Sequence, residues 1–427
     1  MSSSSFPRHL NLDVRGLKPS ATVAINDRSN ALRQQGRRIY KLGLGQSPFP
    51  VPAPVVQALR DNAHQKDYLP TAGLLTLRQA VADYTRRTSG TNPSAQDVLI
   101  GPGSKELMFL LQLSCYADLI LPSPSWVSYG PQARIVGRHT HWLPTTEASG
   151  WRISAQDLED HCAADPDRPR LMILNYPSNP TGNSYSDQAL KELAEVARRY
   201  NVLVLSDEIY GELYFDAQAS YQSIARHYPE GTIISAGLSK WCGAGGWRLG
   251  TFVFPPELRW LHRTMVSVGS ESYTSVSAPI QHAAVKAFEG GAEIEAYLDG
   301  ERRILGALGR WIAGTMRAAG ISVGDPQGGF YLFPSFEPLA QTMAARGIAS
   351  SAQLCEALLE ATGVAILPGE AFGRPKEELT TRLAFVDFDG AAALDALEEG
   401  QEPDEDWLRR WCPDVIEAIE QVCKWCQ

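Results

Sequence analysis

Short apolar runs alternate along this chain with stretches whose apolar residues recur at steps of three and four, the period of a helix with one buried face. Leu74, Leu77, Ala80 and Tyr84 predict a helix over Leu74 to Arg87. A short strand follows at Asp97 to Ile100, then a helix at Ser104 to Leu113 and a strand end at Leu119 to Leu121. Leu171 to Leu174 reads as an apolar strand and Asp187 to Tyr200 as a helix. Val202 to Leu205, apolar and bounded by polar residues, reads as a buried strand, and Thr232 to Ser235 and Thr251 to Phe254 read likewise. Strands that alternate with helices predict an α/β fold, a mostly parallel sheet covered on both faces. Ligands of such sheets bind at the carboxyl ends of the strands.

The texture changes after about Ala292. A long helix at Glu293 to Ala319 leads to an aromatic strand at Gly328 to Pro334. A helix at Ser351 to Ala361, short strands at Val364 to Leu367 and Arg382 to Val386, and terminal helices complete what reads as a smaller α+β domain. Residues 1 to about 35 read as an arm and a short helix packing with it. The tail from Asp404 to Gln427 predicts a covering helix with Trp407, Trp411, Ile416 and Ile419 as its apolar face.

Composition narrows the function. The 427 residues are 44% hydrophobic, enough for a large core. A formal net charge of -9 gives no electrostatic support to a nucleic-acid or anionic-membrane role. No run approaches the ~20 apolar residues of a membrane span, and the Ser-rich start lacks the apolar centre of a signal peptide. Seven irregularly spaced cysteines argue against a disulfide framework and for the cytoplasm. Cys423 and Cys426 have no second pair or nearby histidines, so they read as small buried hydrophobes and no metal is expected.

Candidate chemistry falls just after predicted strands. Asp207 ends a buried strand, where a carboxylate is costly unless paired, whether by an ion pair, a helix cap or a ligand. Asn179-Pro180-Thr181-Gly182 follows another strand and, alone, is also a plain turn. Ser239-Lys240 precedes Gly245-Gly246-Trp247-Arg248-Leu249-Gly250. Its glycines let backbone approach a bound group, and its arginine suits a phosphate; a solvated lysine and a surface arginine are the plainer reading.

Taken in order, these pieces resemble the fold-type-I aminotransferases of the aspartate aminotransferase superfamily. The resemblance runs from Leu17 to Phe388. Leu17-Lys18-Pro19-Ser20-Ala21-Thr22 is similar to the family's N-terminal signature. Tyr68-Leu69-Pro70 with Gly73 and Leu77-Arg78, and Pro122 to Tyr129 with Trp126, follow. Asn179 to Gly182, Asp207 to Tyr210, Ser239-Lys240 and Gly246 to Arg248 come next. Gly329 to Tyr331, Pro368-Gly369 with Phe372-Gly373, and Arg382 to Phe385 complete the set.

The resemblance implies a large pyridoxal-phosphate domain built on a seven-stranded type of sheet, with residues 1–55 as N-terminal arm and part of the small domain, 56–300 as large domain and 301–427 as small C-terminal domain. It implies that Lys240 holds pyridoxal 5'-phosphate as a Schiff base and shuttles a proton. Asp207 pairs with the pyridine nitrogen, Tyr210 and Asn179 bond the ring's 3-oxygen, and Trp126 stacks on the ring. Gly103, Ser104 and Lys105 at a helix start, with Ser239 and Arg248, hold the phosphate. Tyr68 reaches the phosphate of a neighbouring subunit, which implies a homodimer with shared sites. Arg382 binds the α-carboxylate of an amino acid or 2-oxo acid, near Gly45. The chain departs from many relatives at Gly237, where they carry Ser, and at Gln46-Ser47.

Three activities compete. A transaminase is favoured, with aspartate or glutamate as donor because Lys105, Ser20 and Thr22 suit a second carboxylate; aromatic or aliphatic donors are the alternative. A C–S lyase of the same fold needs the same Lys240, Asp207 and Arg382. A transcription regulator on this fold requires a DNA-binding domain, and roughly thirty residues before the core are too few for one.

Overall fold

The buried runs become the strands of one central sheet. The computed structural model describes residue 9, residues 11–216 and residues 222–427. Strand β1 (Tyr40–Lys41) precedes the large sheet, which comprises β2 (Val98–Gly101), β3 (Asp118–Ser123), β4 (Thr140–Pro144), β5 (Arg170–Asn175), β6 (Leu203–Asp207), β7 (Thr232–Gly237) and β8 (Gly250–Val253). Their order across the sheet is β2-β8-β7-β6-β5-β3-β4. Only β8 runs against its neighbours β2 and β7, so the sheet is mixed but mostly parallel.

Side-chain alternation explains why the central strands read as continuous apolar runs. Leu171, Ile173 and Leu205 turn to one face, packing with Leu107, Leu111, Leu261 and Met265 of the helices Ser104–Ser114 and Arg259–Ser272. Met172, Leu174 and Val204 turn to the other, against Leu158, Leu190 and Leu193 of the helices Ala155–Ala163 and Asp187–Arg199. The helix expected after Pro70 forms at Leu75–Ser89 and stops where Gly90 takes a left-handed φ of 72°.

The C-terminal part builds two smaller sheets. β1 pairs in parallel with β10 (Val364–Ala365), and β11 (Leu367–Pro368), β12 (Thr381–Ala384) and β9 (Tyr331–Leu332) form an antiparallel sheet in the order β11-β12-β9. The strand expected over Val364 to Leu367 is thus two strands in different sheets, and the aromatic strand shrinks to Tyr331–Leu332. The long helix Ala292–Ala318 packs against the final helix Pro413–Cys426. The tail is two helices, Glu405–Trp411 and Pro413–Cys426, where one was expected. Pro413 cannot continue the first helix but suits the opening turn of the second. Trp407, Ile416 and Ile419 are buried as expected, whereas Trp411 is half-buried. Among the described residues no helix is long and apolar enough to cross a membrane.

Candidate active site

The register of the parallel strands gathers polar residues at their carboxyl ends. Asn175 of β5 stands opposite Asp207 of β6, and Asp207 opposite Ser235 of β7. Asp207 is 4% exposed. Its Oδ2 accepts the Tyr129 hydroxyl at 2.5 Å, while its buried Oδ1 has no partner among the described residues. Burial raises this carboxyl to about 6, with the Tyr129 bond opposing the rise. The Asn175 amide donates to the Asp207 carbonyl at 2.9 Å, and Asn175 Oδ1 accepts the Asn179 backbone N–H at 2.7 Å. The Asn-Pro-Thr-Gly turn is thereby fixed to the strand end beside Asp207.

Lys240 follows β7 and donates to the Gly45 carbonyl at 2.6 Å. Burial, helped by the Arg382 charge, lowers its amine to about 8. Tyr210 lies under it, 5.6 Å from the ammonium to the ring centre, and shares a 2.9 Å hydroxyl bond with Tyr331. A Cβ on Gly45 would fall 1.8 Å from the Tyr331 hydroxyl, so only glycine fits there.

Arg382 of β12 is 1% exposed and donates to Asn179 Oδ1 at 3.3 Å and to the Gly43 carbonyl. Among the described residues it has no carboxylate partner, and its Nε has no partner at all. Burial lowers its pKa. A buried cation without a counter-charge is costly, and an anion is the partner that would relieve that cost.

Beside these groups the helix Ser104–Ser114 begins at Gly103, whose φ is 91°. A Cβ on Gly103 would sit 2.1 Å from the Arg248 guanidinium, and one on Gly250 would sit 2.1 Å from the Ser104 amide nitrogen. Arg248, in the left-handed region at φ 54°, donates to the carbonyls of Gly245 at 2.9 Å and Pro102 at 3.4 Å. Free amides at a helix start and an exposed arginine make an anion cradle. Lys105, on the first turn, holds its ammonium 5.2 Å from the Trp126 ring centre, and burial followed by the Arg248 charge lowers its pKa.

One cavity of about 340 Å³ brings together Gly45, Ser104, Lys105, Trp126, Asn179, Asp207, Tyr210, Ser239, Lys240, Arg248 and Arg382. Ser20 and Thr22, at the start of the helix Ala21–Gln34, also line it. Gly103 stands just behind, against Arg248. Tyr68 does not join this cavity; it is 90% exposed. The sequence reading gave no role to Tyr129, Asn175 or Tyr331. Asn175, a polar residue closing an apolar strand, carried the same signal as Asp207, whereas the Tyr129–Asp207 pairing links residues 78 positions apart and left none.

Residues 37–387 match the family model described as aminotransferase class I and II. The chain is 32% identical over 399 residues to the aspartate aminotransferase of Geobacillus stearothermophilus, covering 91% of this chain and 96% of that protein. It is 31% identical over 370 residues to the aspartate/prephenate aminotransferase of Thermus thermophilus, covering 86% and 92%. A solved structure of Thermus thermophilus aspartate aminotransferase with maleate superposes with a TM-score of 0.83 at 27% identity, over 98% of this chain and all of that one.

Proposed function

The chain belongs to the class I and II aminotransferases and is a pyridoxal-phosphate-dependent transaminase, and from that premise we propose that its amino donor is a dicarboxylic L-amino acid, aspartate or glutamate, with a 2-oxo acid as acceptor. The observation that carries this reading is the pair of cations lining one cavity: buried Arg382 with an Nε unpartnered among the described residues, and Lys105 beside Trp126, in a cavity that Ser20 and Thr22 also line. Two carboxylates on one substrate answer two cations, each a charge-assisted bond. The names of the aspartate aminotransferases it resembles support the same donor.

The cofactor fits the residues. The unpartnered Asp207 Oδ1 suits the protonated ring nitrogen, and the cradle of Gly103, Ser104, Ser239 and Arg248, which a Cβ on Gly103 or Gly250 would fill, suits the phosphate. Trp126 lines the ring side, and Tyr210 and Asn179 suit the 3-oxygen. When bound, pyridoxal phosphate supplies an electron sink for negative charge at the substrate's α-carbon. Lys240 Nζ takes and returns the α-proton, a task suited to an amine lowered to about 8. Arg382 binds and orients the α-carboxylate, and Gly45 leaves room for it beside Tyr331. Asp207, held by Tyr129, keeps the ring nitrogen protonated.

Further parts of the reading extend to assembly and setting. We place the arm and part of the small domain at residues 1–55, the cofactor domain at 56–300 and the rest of the small domain at 301–427, with the continuous helix Ala292–Ala318 running across the junction. A homodimer completes each site through Tyr68, and the seven unpaired cysteines support the cytoplasm.

The test compares Lys105→Ala with the parent on aspartate, alanine and phenylalanine, using 2-oxoglutarate and oxaloacetate as acceptors. Selective loss on aspartate, by the ~1.5–3 kcal/mol of a hydrogen bond to a charged group, is expected in kcat/KM. Equal loss on all donors would return Lys105 to the phosphate cradle.

A further inference from the structure

Glu301 is 0% exposed in the middle of the helix Ala292–Ala318, and its Oε2 has no partner among the described residues. Its neighbour Arg302 pairs instead with Glu212 at 2.9 Å. Its contact through Oε1 is the hydroxyl of Tyr297, one turn earlier, at 2.7 Å. That hydroxyl also lies 2.9 Å from the Pro50 carbonyl oxygen. A phenol has one proton and a carbonyl can only accept. With Tyr297 donating to Pro50, the second contact needs its proton from Glu301. An ionised Glu301 would take the Tyr297 proton for itself and release Pro50. Burial raises Glu301 well above the usual carboxylate range, opposed by Tyr297 and Arg302, in the same direction as the proton count. The thiol of Cys242, two residues past Lys240, is also raised by burial.

The bonded segment meets the loop after Lys240 at one end and Lys240 itself at the other. A Cβ on Gly243, which sits at φ 62°, would lie 2.5 Å from the Phe49 carbonyl oxygen and 3.2 Å from that of Pro50. At its other end the segment offers the Gly45 carbonyl to the Lys240 ammonium. We infer that Glu301 is a positioning residue for the transamination reaction: a protonated carboxyl that, through Tyr297, ties Phe49–Pro50 to the long helix and so sets Gly45 and the Lys240 loop. The positioning role rests on Lys240 being the reacting amine; the protonation does not.

Two measurements on the holoenzyme separate these parts. The infrared difference between parent and Glu301→Gln at neutral pH is expected to contain the C=O stretch of a buried carboxylic acid, and its absence would overturn the protonated state. Tyr297→Phe is expected to lower kcat/KM roughly three- to tenfold, the worth of one neutral hydrogen bond, and to move the pH midpoint of the bound cofactor's absorbance. Glu301→Gln, which still donates, is expected to stay close to the parent on both readouts, and Glu301→Leu to match Tyr297→Phe without adding to it. An unmoved midpoint with unchanged kinetics in Tyr297→Phe overturns the positioning role, whether or not the leucine variant folds. So does a glutamine variant as damaged as the leucine one.

Discussion

Asp207 has one oxygen satisfied by Tyr129 and one buried oxygen with no partner among the described residues. Replacing it with asparagine keeps the shape but presents an amide that cannot hold a ring nitrogen's proton by charge. Asp207→Asn is expected to lower kcat by ~100-fold or more, in the range of a lost electrostatic stabiliser, with the cofactor still bound through its phosphate. A variant within tenfold of the parent would mean that another group protonates the ring. Next in sequence, Glu208 lies buried with Oε1 accepting the hydroxyls of Ser206 at 2.7 Å and Ser223 at 2.5 Å. Burial raises Glu208 to about 7 from 4.5, and Asp207 to about 6 from 3.8. Both are therefore protonated in the folded cofactor-free chain over a range where the unfolded chain has released its protons. At these two carboxyls the folded state binds the excess protons, so they contribute a stability that falls as pH rises from about 4 to about 7. Melting temperatures of the cofactor-free protein across that window should show the slope, and Glu208→Gln should flatten it. An unchanged slope in that variant would assign the effect to other groups.

The start of the helix Ser104–Ser114 shows how two glycines divide the work of a cradle. At Gly103 an added methyl meets the far end of the Arg248 side chain, which can swing aside, but the φ of 91° strains any side chain there; at Gly250 it meets the Ser104 amide nitrogen, which cannot move without moving the helix. Gly250→Ala and Gly103→Ala are both expected to weaken cofactor binding, the first by the ~1–3 kcal/mol of forced overpacking and the second by backbone strain of similar size. Fluorescence titration of both variants with pyridoxal phosphate checks this, and parental affinity in Gly250→Ala would remove the backbone contact from the argument. These glycines were readable in the sequence because they bracket a strand and a helix, and so were the buried strands β5, β6 and β7, whose apolar runs are uninterrupted. The edge strand β4 was not, because four of its five residues are at least partly exposed and it lacks the apolar run of a covered strand. Ile366 was read within one strand, yet it separates two that pair with different partners. Pairing partners are a tertiary matter, as is the Tyr331 hydroxyl that makes Gly45 obligatory. Local pattern located the elements and the family resemblance most of the residues around the cavity, and both left out the contacts that hold those residues in place.

Assembly decides whether the cavity is complete within one chain. Tyr68 precedes the helix Leu75–Ser89, is 90% exposed, and contributes nothing to its own chain's cavity. Leu75 at 62% and Val23 at 51% are likewise large apolar side chains left in solvent by the single chain. The anion cradle itself contains one arginine, a lysine and helix amides, with open space beside the exposed Arg248. A tyrosine hydroxyl from a second copy would add a donor there, and a two-fold axis would place it in both sites at once. Sedimentation of the active enzyme at assay concentration is therefore expected to give a dimer, and Tyr68→Phe to weaken cofactor retention. The sharper test mixes two damaged proteins, Lys240→Ala and Tyr68→Ala, under conditions that let subunits exchange. A heterodimer holds one site with both defects and one with neither, because the intact Tyr68 comes from the chain that lacks Lys240. Random exchange of equal amounts makes about half the dimers mixed, so about one site in four regains its full set of groups. Recovery of roughly that share of parental activity is the expected outcome. No recovery despite demonstrated exchange would mean that each chain carries its own complete site, and the exposed tyrosine would need another explanation.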